Sequence, residues 1–154
     1  MLDGIIGHER IVERLKRQAE QGRLAHAYLF IGQEGVGKTA VAMGLIGSGS
    51  DFQQVSRRED EKTGKLKVTI SVDQIRELRD RLSLTSFSGE TKAAFIEEAD
   101  RLSDGAANAL LKTLEEPRGD TVIILRAETL ESVSQTIASR CQVLRFCPVP
   151  SERR

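Results

Sequence analysis

The sequence predicts an α/β domain in which a parallel sheet lies between two layers of helices. Three observations lead there. Apolar runs at 27–31, 93–96 and 121–125 lack the polar–apolar alternation of a strand with one wet face, as expected of strands covered on both sides. Between them lie segments with apolar residues at helical spacing, so strands and helices alternate. The first run, Ala27-Tyr28-Leu29-Phe30-Ile31, passes directly into the glycine-rich Gly32-Gln33-Glu34-Gly35-Val36-Gly37-Lys38-Thr39, and Thr39-Ala40-Val41-Ala42-Met43 then opens a helix.

A chain of 154 residues is sized for one domain with a real core. Hydrophobic content of 39% and charged content of 30% fit a soluble globular protein. Lys plus Arg and Asp plus Glu stand at 23 each, so bulk charge does not advertise nucleic-acid binding. No apolar run is long enough to span a bilayer, and Met1-Leu2-Asp3-Gly4 lacks a charged n-region and an h-region. The expectation is a cytoplasmic protein with no membrane partner. Cys141 and Cys147 are too few for a disulfide framework or a four-ligand zinc site, and buried or part-buried free thiols are expected.

Taken in order, residues 7–21 place Ile11, Leu15 and Ala19 on one helical face with Val12 alongside, and Gly22 stands at the C-cap. His26 has no partner at catalytic or metal-ligand spacing and reads as structural, and His8 reads as a surface residue at that helix's start rather than a ligand. After the helix that follows the glycine-rich loop, Gly47-Ser48-Gly49-Ser50 has the composition of an engineered flexible linker. Residues 51–55 and 66–70 flank a charged turn at Thr63-Gly64 and read as a hairpin. Ser71 and Gln74 form a capping box for a helix with Val72, Ile75, Leu78 and Leu82 on its apolar stripe. The short strand 93–96 ends in Glu97-Glu98. Ser103 caps a helix that turns Ala106, Ala109, Leu110 and Leu114 inward and stops at Pro117. Two further strands follow, at 121–125 and 141–146.

The glycine-rich loop is where the chemistry begins. Glycines let the backbone curl so that successive N–H groups point at phosphate oxygens, and the helix N-terminus behind them adds partial positive charge. Gly32, Gly35, Val36, Gly37, Lys38, Thr39 and Ala40 are the expected nucleotide-binding residues. Lys38 reaches the β- and γ-phosphates and the Thr39 hydroxyl ligates Mg²⁺. Such a loop requires a carboxylate at a neighbouring strand end to hold Mg²⁺ and a second acid to orient the attacking water. A lone Glu-Glu would read as a solvated loop. Behind four apolar residues, Glu97 is the metal carboxylate and Glu98 the catalytic acid.

Phe95-Ile96-Glu97-Glu98-Ala99-Asp100-Arg101-Leu102 resembles the second nucleotide motif of the AAA+ ATPases. Asn108-Ala109-Leu110-Leu111-Lys112-Thr113-Leu114-Glu115-Glu116-Pro117, with Ser139-Arg140-Cys141, resembles the signature of clamp-loader subunits. Ile5-Ile6-Gly7-His8-Glu9 and the stretch from Gly22 to Phe30 fit the same family, and the likeness covers nearly the whole chain. Val72-Asp73-Gln74-Ile75-Arg76-Glu77-Leu78 is most similar to the delta-prime branch of the bacterial DNA polymerase III clamp loader, with the gamma/tau branch next. The resemblance implies a three-layer α/β/α phosphate-loop domain with a five-stranded, mainly parallel sheet, binding ATP with Mg²⁺. It implies a subunit of a hetero-oligomeric complex that loads a sliding clamp on primed DNA, contacting the DNA only indirectly. It gives Arg140 an outward role in the nucleotide site of the adjacent ATPase subunit, where a fixed guanidinium offsets γ-phosphoryl charge, an effect worth about 10³–10⁵ in rate elsewhere.

Four departures bear on activity. The family has Asp where this chain has Glu97, one methylene longer. Its γ-phosphate-sensing Thr or Ser falls near Ala127 and Glu128, which cannot replace it. The Gly-Ser tetrapeptide at 47–50 stands where the family carries a four-cysteine zinc module, so no zinc is expected. The family continues beyond the position of Arg154 into a helical lid and a collar, so the chain reads as the nucleotide-binding domain, 1–154, of a longer protein. The expected function is an ATP-binding clamp-loader subunit that supplies an arginine finger in trans, with ATPase activity only in the assembled polymerase complex. The alternative is a hydrolysing motor subunit of the gamma/tau type.

Overall fold

The computed structural model describes residues 8–33, 35, 37–46, 52–84, 92–116 and 121–147. Five strands, β1 (Ala27–Ile31), β2 (Phe52–Val55), β3 (Lys92–Ile96), β4 (Thr121–Ala127) and β5 (Gln142–Arg145), form one sheet in the order β2-β3-β4-β1-β5. Every neighbouring pair is parallel. Around it lie α1 (Glu9–Glu20), α2 (Lys38–Ile46), α3 (Val72–Ser83), α4 (Asp104–Glu115), the short α5 (Gln135–Ala138) and a 3₁₀ turn, Ala99–Arg101.

The apolar runs are unalternated because both faces of the sheet are covered. All five residues of β1 are buried. Ala27, Leu29 and Ile31 join a core built with Ile75, Leu78 and Leu82 of α3, Leu110 and Leu114 of α4, and Ile137 of α5. Tyr28 and Phe30 point the other way, into a core with Leu15 of α1 and Val41, Ala42 and Leu45 of α2. β4 divides by the same parity: Ile123, Leu125 and Ala127 face the first core, Val122 and Ile124 the second. The expected three-layer architecture is therefore observed.

Local signals work as their chemistry dictates. Gly22 takes φ +66° after α1; its N–H donates to the Ala19 carbonyl at 3.2 Å and that of Arg23 to Gln18 at 2.7 Å, the paired bonds of a Schellman stop. The Ser71 N–H donates to Gln74 Oε1 at 3.1 Å while the Gln74 N–H donates to Ser71 Oγ at 3.3 Å, closing the capping box on α3. The Ala106 N–H donates to Ser103 Oγ at 3.1 Å at the start of α4.

The expected hairpin is absent. β2 pairs in parallel with β3, Val55 beside Ile96, and residues 66–70 make no strand; Glu59 and Leu66 share one antiparallel bridge and Ile70 a parallel one with Leu102. The reason is burial: Leu66 and Val68 are 52% and 72% exposed, so only Ile70, at the end of the stretch, is anchored in the core and no continuous apolar face holds a strand in place. The 47–50 tetrapeptide, Val36 and the Pro117 stop lie outside the described residues.

Candidate functional site

Between β1 and α2 the backbone passes through Gly35 at φ +84° and Gly37 at φ +105°, left-handed conformations that a side chain would strain. A Cβ on Gly37 would come within 3.5 Å of the His8 imidazole. His8 is thus more than a surface residue at a helix start: it is half-buried, with its ring edge-on to Phe146 at 4.8 Å. This turn aims the first turn of α2, whose N–H groups have no partner within the helix, at the carboxyl ends of the strands.

There the chain encloses a cavity of about 500 Å³. Gly35, Gly37, Lys38 and Thr39 line it from the loop and α2, and Glu97 and Glu98 line it from the end of β3. Arg126, Ala127 and Glu128 from β4, Arg57 from beyond β2, and Asp100 with Arg101 complete it. The phosphate loop and both strand-end glutamates therefore open on one space, as expected. Lys38 is 5% exposed, and its ammonium donates to the Gly32 carbonyl and, at 3.3 Å, to that of Ala127. Ala40, exposed in the first turn of α2, is not part of the lining.

The two glutamates are differently held. Glu98 accepts from Arg57 Nε at 2.9 Å and from its backbone N–H at 3.3 Å, and pairs with the Arg57 guanidinium at 2.7 Å. Burial pushes the Glu98 carboxyl up, but the Arg57 hydrogen bonds and the charges of Arg57 and Arg101 outweigh it and leave it below the usual range. Glu98 is therefore ionised at neutral pH and engaged with a cation. The Glu97 carboxylate accepts from Gln54 Nε2, while its carbonyl accepts from Arg126 Nε at 2.8 Å.

Arg126 is the residue that sequence reasoning missed. Its Nη1 donates to the Thr39 hydroxyl, and its Cζ lies 5.8 Å from the centre of the Phe95 ring. The signal was face parity. Residues 122 and 124 of β4 face α2, so 126 does too, provided the strand runs past Leu125; it runs to Ala127. The expected strand ended at 125, where the apolar run ends, and placed only Ala127 and Glu128 at the site.

These contacts decide how a metal fits. A divalent cation between Thr39 and Glu97 would have to ligate a hydroxyl oxygen that already accepts from a guanidinium, and a carboxylate held by Gln54. A divalent and a unit charge about 4 Å apart repel by about 8 kcal/mol at an effective dielectric near 20. With Arg126 in this position, Mg²⁺ does not fit on Thr39. The phosphate-binding half fits an anion well: a buried ammonium, two glycines that bare their N–H groups, and a helix N-terminus converge on it.

Arg140 stands apart from this cavity. It follows α5, pairs with Glu115 of α4 at 2.8 Å, and donates to the Thr136 carbonyl at 3.3 Å. Among the described residues no helix is long and apolar enough to cross a membrane, and no group of three or more His, Cys, Asp and Glu is placed to hold a metal.

Comparison with known proteins agrees with this architecture. The family model described as DNA polymerase III, delta subunit, matches residues 7–62 and 46–150. The DNA polymerase III subunit delta' of Bacillus subtilis is 35% identical over 91% of this chain and 47% of its own length. Subunit tau of the same organism is 31% identical over 97% of this chain and 30% of its own length. The chain thus spans less than half the length of these relatives. A solved gamma subunit-related protein from Thermotoga maritima superposes with a TM-score of 0.73 at 27% identity, over 92% of this chain and 47% of that one.

Proposed function

The chain belongs to the DNA polymerase III delta-subunit family of AAA+ clamp-loader subunits, and from that premise we propose that it is a nucleotide-binding wall of the clamp loader, acting on hydrolysis in trans. The observation that carries the reading is the separation of two devices. A phosphate loop and two glutamates share one cavity, while Arg140 projects from a different part of the surface.

In this reading the N–H groups at Gly35, Val36, Gly37, Thr39 and Ala40 cradle the phosphates of ATP, Gly32 opens the turn, and Lys38 offsets their charge. Thr39 and Glu97 are the residues that would hold Mg²⁺ if Arg126 withdrew, and Glu98 is the acid that would orient water. Three features favour a static site over a motor of the gamma/tau type. Arg57 occupies Glu98, Ala127 and Glu128 line the cavity near the expected place of a sensing hydroxyl without supplying one, and Arg126 occupies Thr39. The isolated chain accordingly hydrolyses ATP negligibly, and turnover belongs to the assembled complex. The partners are neighbouring clamp-loader subunits, one of which receives Arg140, then the sliding clamp and, indirectly, primed DNA. Residues 47–50 replace a zinc module, a reading favoured by the flexible-linker composition of Gly47-Ser48-Gly49-Ser50.

Substitution in the full-length subunit tests this. In a reconstituted clamp loader, Arg140→Ala should lower ATP hydrolysis by up to about 10³-fold while this subunit's own nucleotide affinity is unchanged. Equal loss of both would overturn the assignment in trans.

A further inference from the structure

We propose that Arg126 is a tethered cation that takes the divalent metal's place, so that this site binds nucleoside polyphosphate without Mg²⁺. The proposal rests on the nucleotide-binding reading and specifies the ligand's form: the metal-free, fully anionic nucleotide.

Two anchors define the metal's seat in a phosphate-loop site, the hydroxyl that opens the helix and the acidic strand end beside it. Arg126 is held by the first and by the main chain of the second. Its Nη1 donates to the Thr39 hydroxyl and its Nε to the Glu97 carbonyl at 2.8 Å. Phe95, on the neighbouring strand, presents its ring 5.8 Å from the guanidinium carbon and adds a contact favourable to a cation. Arg126 is the one charged residue in Thr121–Ala127, and strand parity delivers it to the α2 face whatever the loops do. A guanidinium has five N–H donors in a rigid fork. Two are engaged by these anchors, and Nη2 has no hydrogen bond among the described residues. Arg126 can therefore offset phosphate charge from the metal's position while keeping its hold on the protein.

The same arrangement explains why binding need not lead to turnover. A metal brings two charges and exchangeable water; a guanidinium brings one charge spread over a plane and ligates nothing. The residues that would position water are occupied too, since Glu98 is paired with Arg57 at 2.7 Å.

Calorimetric titration of the 154-residue chain with ATP, once with excess EDTA and once with excess Mg²⁺, tests this directly. The expected result is two dissociation constants that agree within about threefold, and for Arg126→Gln a constant at least about tenfold weaker in EDTA than with Mg²⁺. Wild-type binding that weakens tenfold or more on chelation would overturn the proposal and leave the nucleotide-binding reading intact. Metal-independent binding by both proteins would remove Arg126 from the role. No saturable binding under either condition would overturn both readings together. If Arg126→Gln shows no cooperative thermal melt, the wild-type pair of titrations decides alone.

Discussion

Burial gives the two cysteines opposite chemistry. Cys141, before β5, is half-buried, and desolvation pushes its thiol up to about 12, whereas Cys147 is exposed after the same strand. Only the thiolate reacts. At pH 8 Cys141 is thiolate in about one molecule in 10⁴, so a disulfide reagent should titrate one thiol per chain rapidly and the second only on unfolding; two fast thiols would contradict this. Arg126 illustrates the limit of reading residues singly. A lone arginine after four apolar residues looks like the exposed end of a strand. Its meaning depends on which face of β4 it takes and on what stands across from that face. Lys38, Thr39, Glu97 and Glu98 could be singled out because their spacing is itself the signal, and the fold brings all four to one cavity. That Arg57 pairs with Glu98 was not legible, since 41 residues separate them and nothing local links them.

Elements were legible wherever their stabilising contacts are local. The capping box of α3, the Ser103 cap of α4 and the glycine stop of α1 all lie within a few residues of the helix they serve. Ser71→Ala removes the oxygen that accepts from the Gln74 N–H and should cost about 1 kcal/mol of unfolding free energy, read as a lower urea midpoint with an unchanged slope. A loss under about 0.3 kcal/mol would mean the cap is redundant. β2 failed as an expected hairpin strand for the converse reason. Its partner, β3, lies some forty residues onward, from Phe52 beside Ala93 to Val55 beside Ile96. Gln53 and Gln54 give it no apolar run, and the charged turn between 59 and 66 closes locally instead, Asp60 accepting from the Lys62 and Thr63 N–H groups.

At the scale of the molecule, the order β2-β3-β4-β1-β5 converts sequence-distant residues into one site. β1 lies between β4 and β5, so the loop leaving β1 opens beside the end of β4, and β3 brings its glutamates from one strand further. The fold class followed from unalternated apolar runs, but the order of strands did not, because parallel pairing leaves no mark in the local sequence. Arg140 ends up outside the cavity for the same topological reason: it enters β5, and α5 and Glu115 of α4 hold it there. Everything functional then depends on whether the bend between β1 and α2 grips polyphosphate. Titration of the chain with ATP, beside Lys38→Ala checked for an intact thermal melt, measures that most directly. Saturable binding near one nucleotide per chain, weakened by at least about tenfold in the variant, is the predicted result; equal affinity of both proteins, or heats of dilution alone from the wild type, would contradict it.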